Sequence, residues 1–181
     1  MITKFTKKSN SVFGRGFTLL EALVAISILM VAVAAPMTIV QKGLASAVFT
    51  KNQMIASYLV QDAMEFIINQ RDVSAKKDLN WESFITEYKD CVGENALCVV
   101  DTVNKSLDST YVASYGNQKL KKITDGGGNF RFYGYNSGVE TNFIRTVNII
   151  RVDQKATITV KVAWGPDDDE KVEISTLIYN R

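Results

Sequence analysis

GRGFTLLEALVAISILMVAVAAPMTIV, residues 14–40, decides the fold. From Phe17 to Val40 it holds 24 residues with Glu21 as the single charge. At about 1.5 Å per residue, a helix of that length crosses a hydrocarbon core of about 30 Å. A secretory signal peptide has a shorter apolar core ending at a small-residue cleavage site. The run here is longer, and Ala34-Ala35-Pro36 makes a poor site because proline adjoins it. A carboxylate inside such a span is costly and calls for a partner.

The residues before the run set its orientation. Lys4, Lys7, Lys8 and Arg15 fall within the first 16 residues, which contain no acidic side chain. The positive-inside rule therefore places this end in the cytoplasm and everything after the span outside it. Of the 21 basic residues, 17 remain beyond the leader against 19 acidic ones, so no basic face for nucleic acid is expected. The chain has no histidine, which removes histidine-based triads, zinc ligands and proton shuttles. No nucleophile-base pair, metal cluster or phosphate loop is legible, so the expectation is a protein that is not an enzyme, with no cofactor and no metal. Asp167, Asp168, Asp169 and Glu170 could suggest calcium. Their spacing is not that of an EF-hand, and they read as a solvated turn.

Beyond the span the chain stays helical in pattern. Leu44, Val48, Ile55, Leu59, Ala63 and Phe66 or Ile67 recur at three- and four-residue steps from Gln41 to Gln70, an amphipathic stripe expected to pack on a sheet. Helix-weakening Pro36 and Gly43 predict a kink, or a segment that unwinds when subunits associate. After Arg71, Asn80 caps a short expected helix, Trp81–Lys89, with Trp81, Phe84, Ile85 and Tyr88 on one side. Strands are expected at Leu97–Val103, Phe130–Tyr135, Phe143–Val152, Ala156–Trp164 and Val172–Tyr179. Gly126-Gly127-Gly128 and the run from Gly165 to Asp169 punctuate them. Phe130, Phe132, Tyr133 and Tyr135 could form a sticky surface for host or substrate, and core packing of an alternating strand is the preferred reading for Phe130, Phe132 and Tyr135. The fold class is α+β, one long helix clasped by an antiparallel sheet.

Gly16-Phe17-Thr18-Leu19-Leu20-Glu21, behind the basic leader and ahead of the apolar run, resembles the class III signal sequence of the type IV pilin and type II secretion pseudopilin superfamily. The resemblance implies a leader, residues 1–16, removed by prepilin peptidase between Gly16 and Phe17. It also implies N-methylation of Phe17 and a filament-core helix over 17–40. The amphipathic helix, 41–71, would enter a globular head, 72–181. Glu21 would hold the terminal ammonium of Phe17 in an adjacent subunit. A buried carboxylate of this kind sets register more than it adds stability. The implied partners are prepilin peptidase, other pilin or pseudopilin subunits, an inner-membrane assembly platform served by a cytoplasmic ATPase, and the cytoplasmic membrane itself.

Cys91 and Cys98 lie outside the cytoplasm in this orientation. A disulfide closing the loop from Val92 to Leu97 is the preferred reading over free buried thiols. Many major pilins carry a disulfide-bounded loop near the C-terminus, whereas this pair is mid-chain, and the strand patterns ending at Trp164 and Leu177 resemble minor pilins of the V type and I-type pseudopilins. Tip subunits of the superfamily often lack the glutamate, so Glu21 implies a position below another subunit. The competing function is a membrane-anchored adhesin or DNA-uptake binding protein, which would need neither the glycine before Phe17 nor the glutamate after it.

Overall fold

The structure is a computed structural model that describes residues 16, 18–76, 80–103, 112–113, 118–166 and 168–180. The chain divides into two units, Met1–Ala47 and Val48–Arg181. Helix α1, Leu19–Lys76, contributes to both and runs uninterrupted through Pro36 and Gly43. Proline lacks the amide hydrogen that the Ala32 carbonyl would otherwise accept, so the run keeps one missing rung. A Cβ built on Gly43 meets nothing within 4 Å, so close packing in the described residues does not require glycine there.

In the second unit α1 buries Ala56, Leu59, Val60, Ala63, Met64 and Ile67 on one face. These are the three- and four-residue steps of a helix stripe, and they join a single core cluster with Val147, Ile149, Ile158, Val160 and Val162 of the sheet. Fully burying one such aliphatic side chain is worth about 1.5–3 kcal/mol, several times any helix-propensity difference, so packing fixes this half of the helix. The expected stripe begins too early. Leu44 and Val48 are exposed, and full burial starts at Ala56.

Helix α2, Trp81–Glu87, starts where its cap predicts, with the Ser83 amide donating to Asn80 Oδ1 at 2.9 Å. Trp81, Phe84, Ile85 and Tyr88 are buried together. Burial, reinforced by Glu87, raises the Tyr88 phenol well above its usual range. On the exposed side, Arg151 Nη1 donates to Glu82 Oε2 at 2.7 Å, and that bond holds the Glu82 carboxyl below its ordinary value. A 3-10 turn, Lys89–Cys91, follows α2.

Two strands, β1 (Val99–Val100) and β2 (Val112–Ala113), form a small antiparallel pair. The main sheet is five-stranded and antiparallel, in the order β4-β3-β5-β6-β7. It comprises β3 (Lys119–Thr124), β4 (Phe130–Gly134), β5 (Val139–Val152), β6 (Lys155–Trp164) and β7 (Glu170–Tyr179). Ile158, Val160 and Val162 are buried while Thr157, Thr159 and Lys161 are half-exposed, the alternation expected of a sheet wet on one side. The reading of Phe130 and Phe132 as core is corrected. They are 50% and 37% exposed, whereas Tyr135 is buried. Tyr133 and Tyr135 point toward the core and Phe132 away from it, while a bulge opposite Ile123 and Thr124 puts Phe130 on the tyrosine side, its ring 5.0 Å from that of Tyr133 but left half-exposed.

Cys91 and Cys98 are joined by a disulfide with Cα atoms 4.9 Å apart. The loop it closes is stitched to β5. Cys98 and Val147 exchange backbone bonds of 3.0 and 2.8 Å, and Asn148 Nδ2 donates to the Gly93 and Ala96 carbonyls at 2.7 and 2.6 Å. A loop this short removes unfolded-chain entropy worth about 2–3 kcal/mol. Replacing both cysteines by alanine is therefore expected to lower the melting midpoint by on the order of 10 °C, measured by circular dichroism. An unchanged midpoint would show that the β5 bonds alone hold the loop.

Arg145 ties α1 to the sheet from within. Its side chain is 1% exposed, and Nη1 donates to the Leu59 carbonyl at 3.2 Å and to Asp62 Oδ2 at 2.9 Å. Nη2 donates to the Val100 carbonyl at 2.7 Å. One buried cation thus holds α1, β1 and β5 together. Its charge is tolerated because a carboxylate and two carbonyls replace its water.

Candidate processing and assembly site

The site sits at the start of α1. Thr18 caps the helix: the Glu21 amide donates to Thr18 Oγ1 at 3.2 Å, and the Ala22 amide donates to the Thr18 carbonyl at 3.1 Å. Thr18-x-x-Glu21 is the spacing of a capping box, of which the threonine half is formed among the described residues. The signal was present in the sequence. It gives Thr18 and Glu21 a local reason to stand three residues apart and places the carboxylate where the helix dipole favours negative charge.

Glu21 is exposed, and among the described residues no hydrogen bond or ion pair reaches its carboxylate. The other polar side chains of the run are settled internally. Ser27 Oγ donates to the Leu23 carbonyl at 2.8 Å, and Thr38 Oγ1 donates to the Ala34 carbonyl at 3.1 Å. Such back-bonds satisfy a hydroxyl in hydrocarbon. The carboxylate has no equivalent. Leu19, Leu20, Leu23, Ile26, Ile28 and Leu29 are all more than half exposed, and an 18-residue window of α1 has a mean hydropathy of 2.5 with none of it buried. A surface of that kind is stable against lipid or other helices, not against water.

Gly16 is described, and a Cβ there would meet nothing within 4 Å. Phe17, the expected new N-terminus, lies outside the described residues. Pro36 and Gly43 are held within the same unbroken helix. Cys91 and Cys98 belong to the head and play no part at this site. Among the described residues, no group of three or more acidic or cysteine side chains is placed to hold a metal ion. Asp167 of the acidic turn lies outside them.

Residues 14–35 match the family model described as the prokaryotic N-terminal methylation motif. No curated protein and no solved structure matches the chain. The match covers a small part of the chain, and it falls on the glycine, the capping box and the exposed apolar helix described above. One apolar helix near the N-terminus fits the membrane anchoring of a pilin. The motif implies processing by prepilin peptidase and assembly with other pilins. Over residues 14–35, then, this chain carries the class III signal peptide of type IV pilin-like precursors, followed by a long helix and an antiparallel sheet in a pilin-like α+β architecture.

Proposed function

We propose that the protein is a minor pilin or pseudopilin, a structural subunit and not an enzyme, of a type IV pilus or type II secretion pseudopilus. The observation that carries this reading is the bare carboxylate of Glu21 at the capped start of an exposed apolar helix. Prepilin peptidase cuts between Gly16 and Phe17 and methylates the new terminus. The mature amine of a neighbouring subunit then supplies the counter-charge that Glu21 lacks among the described residues. Only one stagger of two helices brings those groups together, so the pair selects register. The helix lies in the cytoplasmic membrane with the leader inside and the head outside until an assembly platform extracts it. The missing rung at Pro36 and the helix-weakening Gly43 let residues 36–43 lengthen when helices pack. The mid-chain disulfide favours a minor subunit over a major one, and the presence of Glu21 supports a position below another subunit.

Fractionation tests this. In cells that build filaments, the protein is expected in the sheared filament fraction, well below the major subunit in amount. It is expected only in the membrane fraction when the assembly ATPase is inactivated. Retention in the membrane with the ATPase active would refute the filament role and favour an anchored binding protein.

A further inference from the structure

The head carries a groove that the filament reading does not use. It has a volume of about 700 Å³ and is walled by Tyr58 and Leu59 of α1, Val103 after β1, and Phe130, Phe132 and Tyr133 of β4. That volume falls in the range of sites that take small molecules or a few side chains. Tyr58, Phe130 and Phe132 are 66%, 50% and 37% exposed, so three large rings face water around one depression. Clustered aromatic exposure of this kind marks an interaction surface more often than a scattered apolar residue does.

The polar groups at the groove are few and fixed. Asp62 Oδ2 accepts from Arg145 Nη1 at 2.9 Å and from Thr102 Oγ1 at 2.6 Å. Among the described residues no hydrogen bond reaches Oδ1, and the side chain is 51% exposed. Arg145 is buried and bound to two carbonyls, so it clamps the carboxylate in place and cannot swing away to admit something else. A ligand that covered the groove with hydrocarbon alone would strip water from Oδ1 and leave an acceptor unpaired. A ligand that brings a charged N–H donor replaces that water. Lys122 Nζ lies 5.8 Å from the centroid of Phe130, so that ring already carries a cation and the ligand's charge is placed by Asp62. A sugar is a poorer match, because its many hydroxyls would find few partners on a lining that is mostly carbon.

We propose that this groove binds a peptide segment of another protein in which an aromatic or large aliphatic side chain stands beside an arginine or lysine. The apolar side chain fills the space between Tyr58 and Phe130, and the cation meets Asp62 Oδ1. The inference does not depend on the filament role, since all the lining residues belong to the second unit.

The test is calorimetric titration of the full-length chain in lipid nanodiscs with two capped pentapeptides, Ala-Leu-Phe-Arg-Ala and Ala-Leu-Phe-Glu-Ala. The arginine peptide is expected to bind one to one, and the glutamate peptide at least about tenfold more weakly, from the reversed charge beside Asp62. Tyr58→Ala removes an exposed ring and is expected to weaken the arginine peptide about tenfold without moving the melting midpoint, while Phe130→Ala, whose ring also packs on Tyr133, is expected to weaken it as much and to lower the midpoint slightly. Asp62→Asn retains an acceptor for Arg145 and is expected to erase the preference between the two peptides. Equal binding of both peptides by the unaltered chain would overturn the proposal in favour of a plain apolar groove. So would no binding at all, or binding that survives both ring substitutions.

Discussion

A Gly16→Leu chain is expected to retain its whole leader in cells that contain prepilin peptidase, with cleavage slowed on the order of a hundredfold, the cost of misplacing a scissile bond by about 1 Å. The glycine is the residue on the leader side of the expected cut, where a protease must bring the backbone close to its catalytic groups, and only glycine adds no side chain. The substitution is clean on the substrate's side. A Cβ at position 16 meets nothing within 4 Å, so failure to be cut cannot be blamed on a rearranged helix start. Retention has a further consequence. Lys4, Lys7, Lys8 and Arg15 would stay attached, and four cations on the cytoplasmic side oppose withdrawal of the helix from the membrane. Immunoblotting reads the retained leader as a slower band. Normal cleavage of the leucine variant would show that the peptidase does not read this position.

The second large effect is expected at Glu21. Glu21→Gln should be cut like the unaltered chain and yet enter filaments on the order of a hundred- to a thousandfold less, because removing one partner of a buried ion pair costs about 3–5 kcal/mol. Glutamine is the informative replacement. The observed cap runs from the backbone amide of residue 21 to Thr18 Oγ1, so the helix start persists in the variant and only the charge is lost. Quantifying variant against unaltered protein in sheared filaments reads the effect directly. Equal incorporation would mean that the charge of Glu21 does nothing between subunits.

Much of this was legible in the sequence because the signals were local. An uninterrupted apolar run, Asn80 before Trp81, and the alternation of β6 each act over a few residues, and the structure has them where the pattern put them. Cys91 and Cys98 were readable as a pair because the orientation of the span puts both outside the cytoplasm, where disulfides persist. Strand β3 was not. Lys119, Lys121 and Lys122 dominate it and only Leu120 is buried, so no apolar alternation announces a strand that is held by backbone pairing to β4 and β5 on either side. The two phenylalanines of β4 misled for the opposite reason. Apolar residues at alternate positions suggest a core face, but a bulge breaks the alternation of β4, so Phe130 stands beside Tyr133 and both phenylalanines end at the rim of a groove instead of in the core. The Arg145–Asp62 bond joins residues far apart in sequence, and neither carries a local mark of it. At the processing site, the glycine, the threonine cap and the glutamate lie within six residues, which is why that site was readable and the groove on the head was not.

The central claim is that this chain is a precursor whose working N-terminus is made by a cut. It is tested most directly by the intact mass and N-terminal sequence of the full-length protein produced with and without a prepilin peptidase. The expected product with the peptidase begins at Phe17 and carries one added methyl group, while the chain made without it keeps Lys4 to Gly16. A chain that retains the leader in the presence of a peptidase shown to be active on another substrate would contradict the account.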